Sequence, residues 1–199
     1  MKIGIFGGTF DPPHLGHKKY AEEAMDKLSL DRLIVIPTFI PPHKSFDGAS
    51  GEDRIEMTKM LFDGEEKISV SALELDRKGK SYTCETVRLL REKFPEDDLI
   101  FLVGSDMLLS FHTWREPEAI LDCVKICAVS RSADVDEEKM QSYVEAYFSE
   151  RKNRFIICSF EPIELSSTQV RNSVKSGESI EEMTGERIEK YIKEKELYL

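Results

Sequence analysis

Short apolar runs alternate along the chain with segments whose apolar residues recur every three or four positions. Several of the short runs are nearly continuous rather than interrupted by polar residues, which is typical of strands covered on both faces. They predict strands at residues 2–6, 32–37, 68–72, 99–103, 124–129 and 155–160. Helical spacing predicts helices after His17 and at residues 52–62, 85–94, 137–151 and 185–194.

Strands that alternate with helices predict an α/β fold with a doubly wound, mostly parallel sheet and right-handed crossovers. A chain of 199 residues is long enough for one well-buried core and short for two, so we expect a single domain over residues 1–199. Residues 37–51 are rich in Pro, Gly and Ser. They are the longest irregular segment, and we expect a mobile loop over a site there.

Composition narrows the class of protein. Hydrophobic residues at 40% and charged residues at 33% are ordinary for a soluble globular chain. The formal net charge of −10 argues against a protein that coats nucleic acid, because such proteins carry a basic face. The chain lacks the apolar runs of a signal peptide or membrane span, so we expect a cytoplasmic protein with no membrane partner. Four cysteines without a CxxC pair are expected to be single buried thiols: Cys84, Cys123, Cys127 and Cys158.

Segments with candidate chemistry directly follow four of the predicted strands. They are residues 7–17, 41–44, 104–106 and 166–171. Ligands of an open parallel sheet bind in the crevice beyond the carboxyl ends of its strands. We therefore expect these segments to converge on one site.

The first of these segments, GGTFDPPHLGH, has the features of a phosphate site. Gly7 and Gly8 let the backbone approach a ligand closely and adopt torsions denied to other residues. The helix that follows offers unpaired amides and about half a positive charge. His14 and His17 are three residues apart and share one face of that helix. The alternative is that His17, on the same stripe as Ala21, is a core histidine.

This turn does not match other phosphate or metal motifs. Its glycines are not spaced as GxGxxG, no acidic residue ends the second strand, and the GxxxxGK of a P-loop is absent. A zinc site built from His14, His17 and His43 lacks convincing further ligands, so no metal bound by protein side chains is expected.

Residues 166–171 predict a helix start, because Ser166 and Gln169 have the spacing of a capping box. Free amides and hydroxyls at such a start suit phosphate, and Arg171, one turn further on, adds a fork of donors. Asp106 is expected to cap the helix after the fourth strand. Capping alone would account for both features.

Lys44 and Trp114 are ambiguous by themselves. Lys44 follows two prolines, and a surface lysine is usually a solvated charge. Trp114 is the only tryptophan and has no apolar stripe to join, although a lone Trp is more often part of a core. A flat indole can instead stack on a ligand ring.

The motifs taken together resemble one family. GGTFDPPHLGH is similar to the signature of nucleotidyltransferases that carry HxGH. Further motifs extend the resemblance over nearly the whole chain to the bacterial nicotinate-mononucleotide adenylyltransferases: PPHK at 41–44, KSYTCET at 80–86, GSD at 104–106, TW at 113–114, SSTQVR at 166–171 and YIKEKELY near the end. Ser105 departs from the alanine of many members, with no expected effect on chemistry.

The resemblance implies a Rossmann-like fold and a direct attack of nicotinate mononucleotide phosphate on the α-phosphorus of ATP, which releases pyrophosphate. It implies Mg²⁺ carried by ATP, and it makes His14, His17 and Arg171 the catalytic residues. The implied ATP contacts are Gly7, Gly8, Thr9, Phe10, His14, His17, Gly104, Asp106, Ser167, Thr168 and Arg171. The implied mononucleotide contacts are Thr9, Lys44, Tyr82, Thr83, Thr86 and Trp114.

Two kinds of alternative stay open at this point. Within the same chemistry, the acceptor is nicotinamide mononucleotide or phosphopantetheine instead of nicotinate mononucleotide; phosphopantetheine offers no ring on which Trp114 could stack. In another class, the chain is a non-catalytic nucleotide-binding or sensing module, which need not keep both imidazoles and Arg171. The sequence is compatible with a homo-oligomer.

Overall fold

The computed structural model describes residues 1–39, 48–77, 79, 81–130, 137–161 and 164–199. Its centre is a parallel six-stranded sheet with the strand order β3-β2-β1-β4-β5-β6. The strands are β1 Lys2–Gly8, β2 Arg32–Pro37, β3 Ile68–Val70, β4 Asp98–Gly104, β5 Lys125–Ser130 and β6 Phe155–Ser159. The predicted α/β fold and all six predicted strands are confirmed, with ends shifted by at most two residues.

Helices connect the strands and cover both faces of the sheet. They are α1 Leu15–Lys27, α2 Gly51–Leu61, α3 Leu73–Arg77, α4 Thr83–Lys93, α5 Ser105–Leu108, α6 Pro117–Cys123, α7 Glu137–Phe148, α8 Ser167–Lys175, α9 Glu181–Thr184 and α10 Glu186–Glu194. Short 3₁₀ turns occupy Phe111–Thr113 and Ser149–Arg154. Within the described ranges, none of the helices is long and apolar enough to cross a membrane.

The helices differ from the prediction in two ways. The helix expected at residues 137–151 ends at Phe148, because residues 149–154 are all polar and have no apolar face to bury. Helices α3, α6 and α9 were not predicted. Helices α3 and α9 are only five and four residues long, too short to show helical spacing. Helix α6 could have been predicted, because Pro117 in its first turn is a typical helix start.

Alternate residues along the strands feed two hydrophobic clusters on opposite faces of the sheet. Ile3 and Ile5 of β1 join the cluster under α4, α6 and α7, whereas Phe6 joins the cluster under α1, α8 and α10. The cluster that contains Phe6 supports the turn that follows β1. The cluster that contains Ile3 and Ile5 supports the start of α4. The expected mobile loop at residues 37–51 falls partly on residues 40–47, which lie outside the described residues.

The expectation of free thiols is confirmed for all four cysteines, although Cys123 and Cys158 are only half-buried and two of the four thiols are in contact. The register of β5 and β6 pairs Val129 with Cys158, which brings Cys158 diagonally next to Cys127. Their Sγ atoms are 3.3 Å apart. This contact raises the pKa of Cys127 and lowers the pKa of Cys158.

Phe111 provides a test of the packing under α6 and α7. Its ring is fully buried among Trp114, Phe148 and Phe155. We expect Phe111→Ala to lower the free energy of unfolding by about 3–5 kcal/mol, since it removes a large ring from a close-packed cluster. Leu89→Ala, at a leucine that is 39% exposed, is the control and should change it by at most about 0.5 kcal/mol. Urea unfolding of both variants measures the difference, and equal losses would contradict this description of the core.

Candidate active site

The candidate site lies beyond the carboxyl ends of β1 and β4, in the middle of the sheet. β1 and β4 are neighbours, and the chain leaves them towards opposite ends of the sheet order, β2 on one side and β5 on the other. A crevice forms beyond the carboxyl ends of strands at such a point. Gly8 ends β1 and Gly104 ends β4, so the segments that follow both strands border this crevice.

The turn after β1 is shaped by packing rather than by unusual glycine torsions. Gly7 and Gly8 are in the strand, with φ outside the left-handed region, so the expectation that they need special torsions is wrong. A Cβ on Gly8 would lie 3.0 Å from the ring of Phe10, and one on Gly7 would lie 3.3 Å from the ring of Phe101. Both positions are therefore glycine because a side chain there would crowd a neighbouring ring.

Phe10 is the residue that adopts the left-handed conformation in this turn, with φ of 51°. For a bulky residue this backbone is strained and persists only when its surroundings hold it. Its ring is 1% exposed and packs edge-on against Phe6 and also against His17, at centroid distances of 5.3 and 4.9 Å. Any contact of Phe10 with a ligand would therefore be through its backbone.

His14 and His17 lie together at the start of α1. His14 is the N-cap, is 5% exposed, and its ring centroid is 3.7 Å from that of His17. The amide of His14 donates to Nδ1 of His17 at 3.2 Å. Because Nδ1 accepts, the proton of the neutral His17 ring is on Nε2, which makes Nε2 a donor.

The start of α8 lies against the same turn. The predicted capping box is confirmed: Ser166 accepts from the amide of Gln169, whose side chain accepts from the amide of Ser166. The hydroxyl of Ser167 donates to the carbonyl of Pro12 at 2.8 Å. Two helix N-termini, those of α1 and α8, thus flank one turn, and their unpaired amides make this part of the crevice suited to an anion.

Arg171 extends from α8 to the same turn. Its Nη1 donates to the backbone carbonyl of Asp11 at 2.5 Å, and its Nη2 donates to Oγ1 of Thr168 at 3.2 Å. Its side chain is 32% exposed. The structure therefore brings Arg171, Ser167 and Thr168 to the turn that leads into His14, as the sequence led us to expect.

Asp106 does not have the expected role of a cap. Gly104 is the N-cap of α5, and Asp106 is the second residue of the helix, because β4 continues to Gly104 and the helix follows it directly. Asp106 is exposed at the carboxyl end of β4, where its carboxylate is free to accept from a ligand hydroxyl.

The other side of the crevice is formed by the start of α4 and the turn before α6. Tyr82 is the N-cap of α4 and Thr83 its first residue, so the helix begins two residues before the predicted start at residue 85. The guanidinium of Arg115 lies 4.6 Å from the centre of the Tyr82 ring, which places the neighbouring Trp114 near the start of α4. Trp114 is half-buried and packs on Phe111, so the expectation that it has no apolar neighbours is wrong.

Three further candidates are Thr86, Thr9 and Lys44, of which Lys44 is not among the described residues. Thr86 is 1% exposed, and its hydroxyl donates to Glu74 at 2.6 Å, so it braces the first turn of α4 from behind. Thr9 is half-buried, and its carbonyl already accepts from Arg54 at 2.8 Å.

Arg54, Asp11 and Tyr198 are site residues that the sequence reasoning missed. The guanidinium of Arg54 is 1% exposed and donates to four backbone carbonyls, those of Thr9, Thr38, Phe39 and Ala49, at 2.6–3.2 Å. Burial lowers the pKa of Arg54. A signal was present, because Arg54 falls on the buried stripe of α2 with Met57, Thr58 and Leu61.

Asp11 is the buried carboxylate of the turn. Its Oδ1 accepts from the amide of Ala49 at 3.0 Å and from the hydroxyl of Tyr198 at 2.7 Å. Burial of the phenol and the neighbouring Asp11 carboxylate raise the pKa of Tyr198. Tyr198 therefore stays a neutral donor at physiological pH.

This arrangement suits electrostatic stabilisation of phosphate and alignment of a second substrate more than covalent chemistry. Helix-start amides, two imidazoles and a guanidinium lie together at the turn after β1, and Trp114 lies near the start of α4. Among the described residues, no group of three or more His, Cys, Asp or Glu side chains is placed to hold a metal ion.

Comparison with known proteins gives the family. A model of the family described as "Cytidylyltransferase-like" matches residues 5–173. The chain is 37% identical over 198 residues to a Thermus thermophilus protein named "Probable nicotinate-nucleotide adenylyltransferase", and the match covers 100% of both chains. It is 40% identical over 171 residues to a protein of the same name from Aquifex aeolicus, covering 85% of this chain and 100% of the relative.

A solved structure has the same fold. The nicotinic acid mononucleotide adenylyltransferase of Plasmodium falciparum, in complex with NaAD, superposes with a TM-score of 0.80 at 18% identity. The match covers 99% of this chain and 97% of that one. The family model and the full-length relatives carry the assignment: the chain belongs to the cytidylyltransferase-like family and, within it, to the nicotinate-nucleotide adenylyltransferases.

Proposed function

We propose that the protein transfers the AMP moiety of ATP to nicotinate mononucleotide, forming nicotinate adenine dinucleotide and pyrophosphate in NAD biosynthesis. The observation that carries the proposal is the convergence of two helix N-termini, His14, His17 and Arg171 on one turn beyond β1. The names of full-length relatives at 37–40% identity support the choice of substrates.

The triphosphate occupies the side of the crevice between α1 and α8. Amides of both helix starts and the hydroxyls of Ser167 and Thr168 donate to phosphate oxygens, and Nε2 of His17 faces the transferring phosphorus. The negative charge that develops when the acceptor oxygen attacks is stabilised by His14, His17 and Arg171. Gly7, Gly8 and Phe10 contribute backbone, and Asp106, next to Gly104, accepts from a ribose hydroxyl.

The mononucleotide occupies the side of the crevice formed by α4 and Trp114. The first amides of α4, at Tyr82 and Thr83, receive the nicotinate carboxylate, because the amides of a helix start have no partner within the helix. The indole of Trp114 stacks on the pyridine ring. Thr9 and Lys44 contact the mononucleotide, and Thr86 holds the first turn of α4 in place.

Catalysis in this arrangement consists of alignment and charge stabilisation. The phosphate of the mononucleotide attacks the α-phosphorus, the bond to the pyrophosphate oxygen breaks, and pyrophosphate leaves with the electron pair. No covalent enzyme intermediate is involved. Alignment of two bound reactants can lower the barrier by up to about 7–11 kcal/mol, and fixed donors at the transferring phosphorus add to it.

Mg²⁺ enters as part of the nucleotide substrate. The described residues at the turn supply donors rather than a cage of carboxylates, a donor set that fits a triphosphate whose own oxygens hold the ion. Removal of free Mg²⁺ should therefore abolish turnover without unfolding the protein.

The choice of acceptor tests the proposal. We expect pyrophosphate release from ATP with nicotinate mononucleotide, with a kcat/KM above that for nicotinamide mononucleotide, and none with phosphopantetheine, which has no ring for Trp114. The measurement is a coupled pyrophosphate assay with each acceptor, with Mg²⁺ and with a chelator. A preference for phosphopantetheine would refute the assignment.

His17→Ala distinguishes a transferase from a module that only binds nucleotide. We expect kcat to fall about 100- to 1000-fold, because a fixed donor at the developing charge is lost. The Kd for ATP, measured by calorimetry, should rise less than about 10-fold. Lys19→Ala, on the exposed face of the same helix, is the control and should change neither value. Comparable losses in turnover and binding would favour the binding module.

Trp114→Ala tests the acceptor side. Loss of the stacked ring should raise KM for nicotinate mononucleotide about 10-fold and leave KM for ATP unchanged. Trp114→Phe should recover part of the loss. Leu89→Ala removes an apolar side chain of α4 that is 39% exposed and serves as the control. Steady-state kinetics with each substrate varied in turn measures the effect, and an equal rise in both KM values would contradict the placement.

A further inference from the structure

The Asp11 carboxylate poses a problem for the triphosphate side of the site. It lies in the turn between β1 and His14 and is 7% exposed. A buried carboxylate near a cationic side chain normally draws that cation into an ion pair. Arg54 and Arg171 both lie near Asp11. The guanidinium of Arg54 donates to backbone carbonyls, whereas a paired Arg171 would have fewer donors left for phosphate.

Arg171 and Asp11 form only a long ion pair without a hydrogen bond between the side chains. Nη1 of Arg171 is 3.9 Å from Oδ2 of Asp11, beyond hydrogen-bond distance, and donates instead to the backbone carbonyl of Asp11. Within the described residues, the carboxylate accepts hydrogen bonds at Oδ1 from two neutral donors, the Ala49 amide and the Tyr198 hydroxyl.

Tyr198 reaches Asp11 from the far end of the chain. Its backbone has φ of 66°, and Glu196 two residues before has φ of 51°, so two non-glycine residues adopt the left-handed region in this segment. Such residues persist only where contacts hold them. The amide of Leu197 donates to the carbonyl of Ile192 at 3.0 Å, and the ring of Tyr198 packs on the cluster under α1 and α8.

We propose that Tyr198 is a positioning residue for the triphosphate site: its hydroxyl occupies the Asp11 carboxylate, which keeps the Arg171 guanidinium available for phosphate. Arg54 contributes indirectly. It donates to the carbonyl of Ala49 and so holds this residue in place, and the amide of Ala49 is the other donor to Asp11. The inference rests on the proposed function only in taking ATP as the ligand of this site.

Tyr198→Phe removes the hydroxyl and keeps the packed ring. The Asp11 carboxylate then loses a donor, turns towards Arg171 and closes the ion pair. We expect the Kd for Mg-ATP to rise about 10-fold, the loss of one charge-assisted hydrogen bond to phosphate. The value of kcat at saturating ATP should change less than about twofold, since bound triphosphate re-opens the pair.

The chain contains a matched control. Tyr191 donates to Oδ1 of Asp53 at 2.8 Å, a tyrosine–aspartate bond between the C-terminal region and α2 that does not involve the turn. Tyr191→Phe should lower the melting temperature by an amount similar to Tyr198→Phe and leave ATP binding unchanged. A purely structural role of Tyr198 would give the two variants the same ATP affinity.

The double variant Asp11→Asn with Tyr198→Phe separates the charge effect from a damaged turn. With no carboxylate to compete, Arg171 stays available, so we expect ATP affinity to recover to within about threefold of the wild type. Calorimetric titration with Mg-ATP and thermal melting of all four proteins give the result. Affinity that is equal in Tyr198→Phe and Tyr191→Phe, or that falls further in the double variant, would overturn the inference.

The same titration separates the two proposals. Wild-type protein that binds Mg-ATP but makes no dinucleotide would refute the proposed transfer, while the comparison of the tyrosine variants would still decide the role of Tyr198. Wild-type protein that does not bind Mg-ATP would overturn both.

Discussion

The buried guanidinium of Arg54 is the interaction on which the geometry of the site depends. Its donors are shared among carbonyls that belong to three separate segments: Thr9 after β1, Thr38 and Phe39 after β2, and Ala49 before α2. A buried charge is tolerated only when its hydrogen bonds are satisfied, and removal of the guanidinium would leave four inward-facing carbonyls without their donor. The ends of two neighbouring strands and the start of a helix are therefore held as one frame.

This frame also sets the polarity of the turn. The carbonyls of Thr9, Asp11 and Pro12 are each occupied by a side chain, from Arg54, Arg171 and Ser167 respectively. With its carbonyls engaged by protein donors, the turn presents to the crevice the amides at the starts of α1 and α8. In the proposed function, the triphosphate would therefore meet the positive ends of these peptide dipoles.

The features that could be predicted from the sequence are those fixed by local spacing. Short apolar runs predicted all six strands, and several of these runs are nearly continuous because strands buried on both faces need no polar alternation. The capping box of Ser166 and Gln169 depends only on a spacing of three residues, so it could also be predicted. The role of Asp106 was wrong because the cap depends on where β4 ends, and strand ends are set by pairing with β1 and β5.

Features fixed by distant neighbours could not be predicted in the same way. Gly7 is required by the ring of Phe101, which only the folded chain brings close. The bond from Tyr198 to Asp11 joins residues 187 positions apart and leaves no trace in either local sequence. Arg54 lies between these cases, since its place on a buried helical stripe is visible although its carbonyl partners are not.

The two sides of the crevice rest on different layers of the protein. Helices α1 and α8, on the proposed triphosphate side, pack on one hydrophobic cluster, whereas α4, Phe111 and Trp114, on the acceptor side, pack on the other. The sheet separates the clusters, and its β1–β4 pairing, with Phe6 opposite Leu102, fixes one side relative to the other. A reaction that needs alignment of two bound nucleotides gains most from such a rigid central element, because an error of about 1 Å between reacting atoms can slow it 100-fold. The parallel sheet is thus the part of the fold that sets the distance between donor and acceptor, and the helix starts on either side determine only what is held at each end.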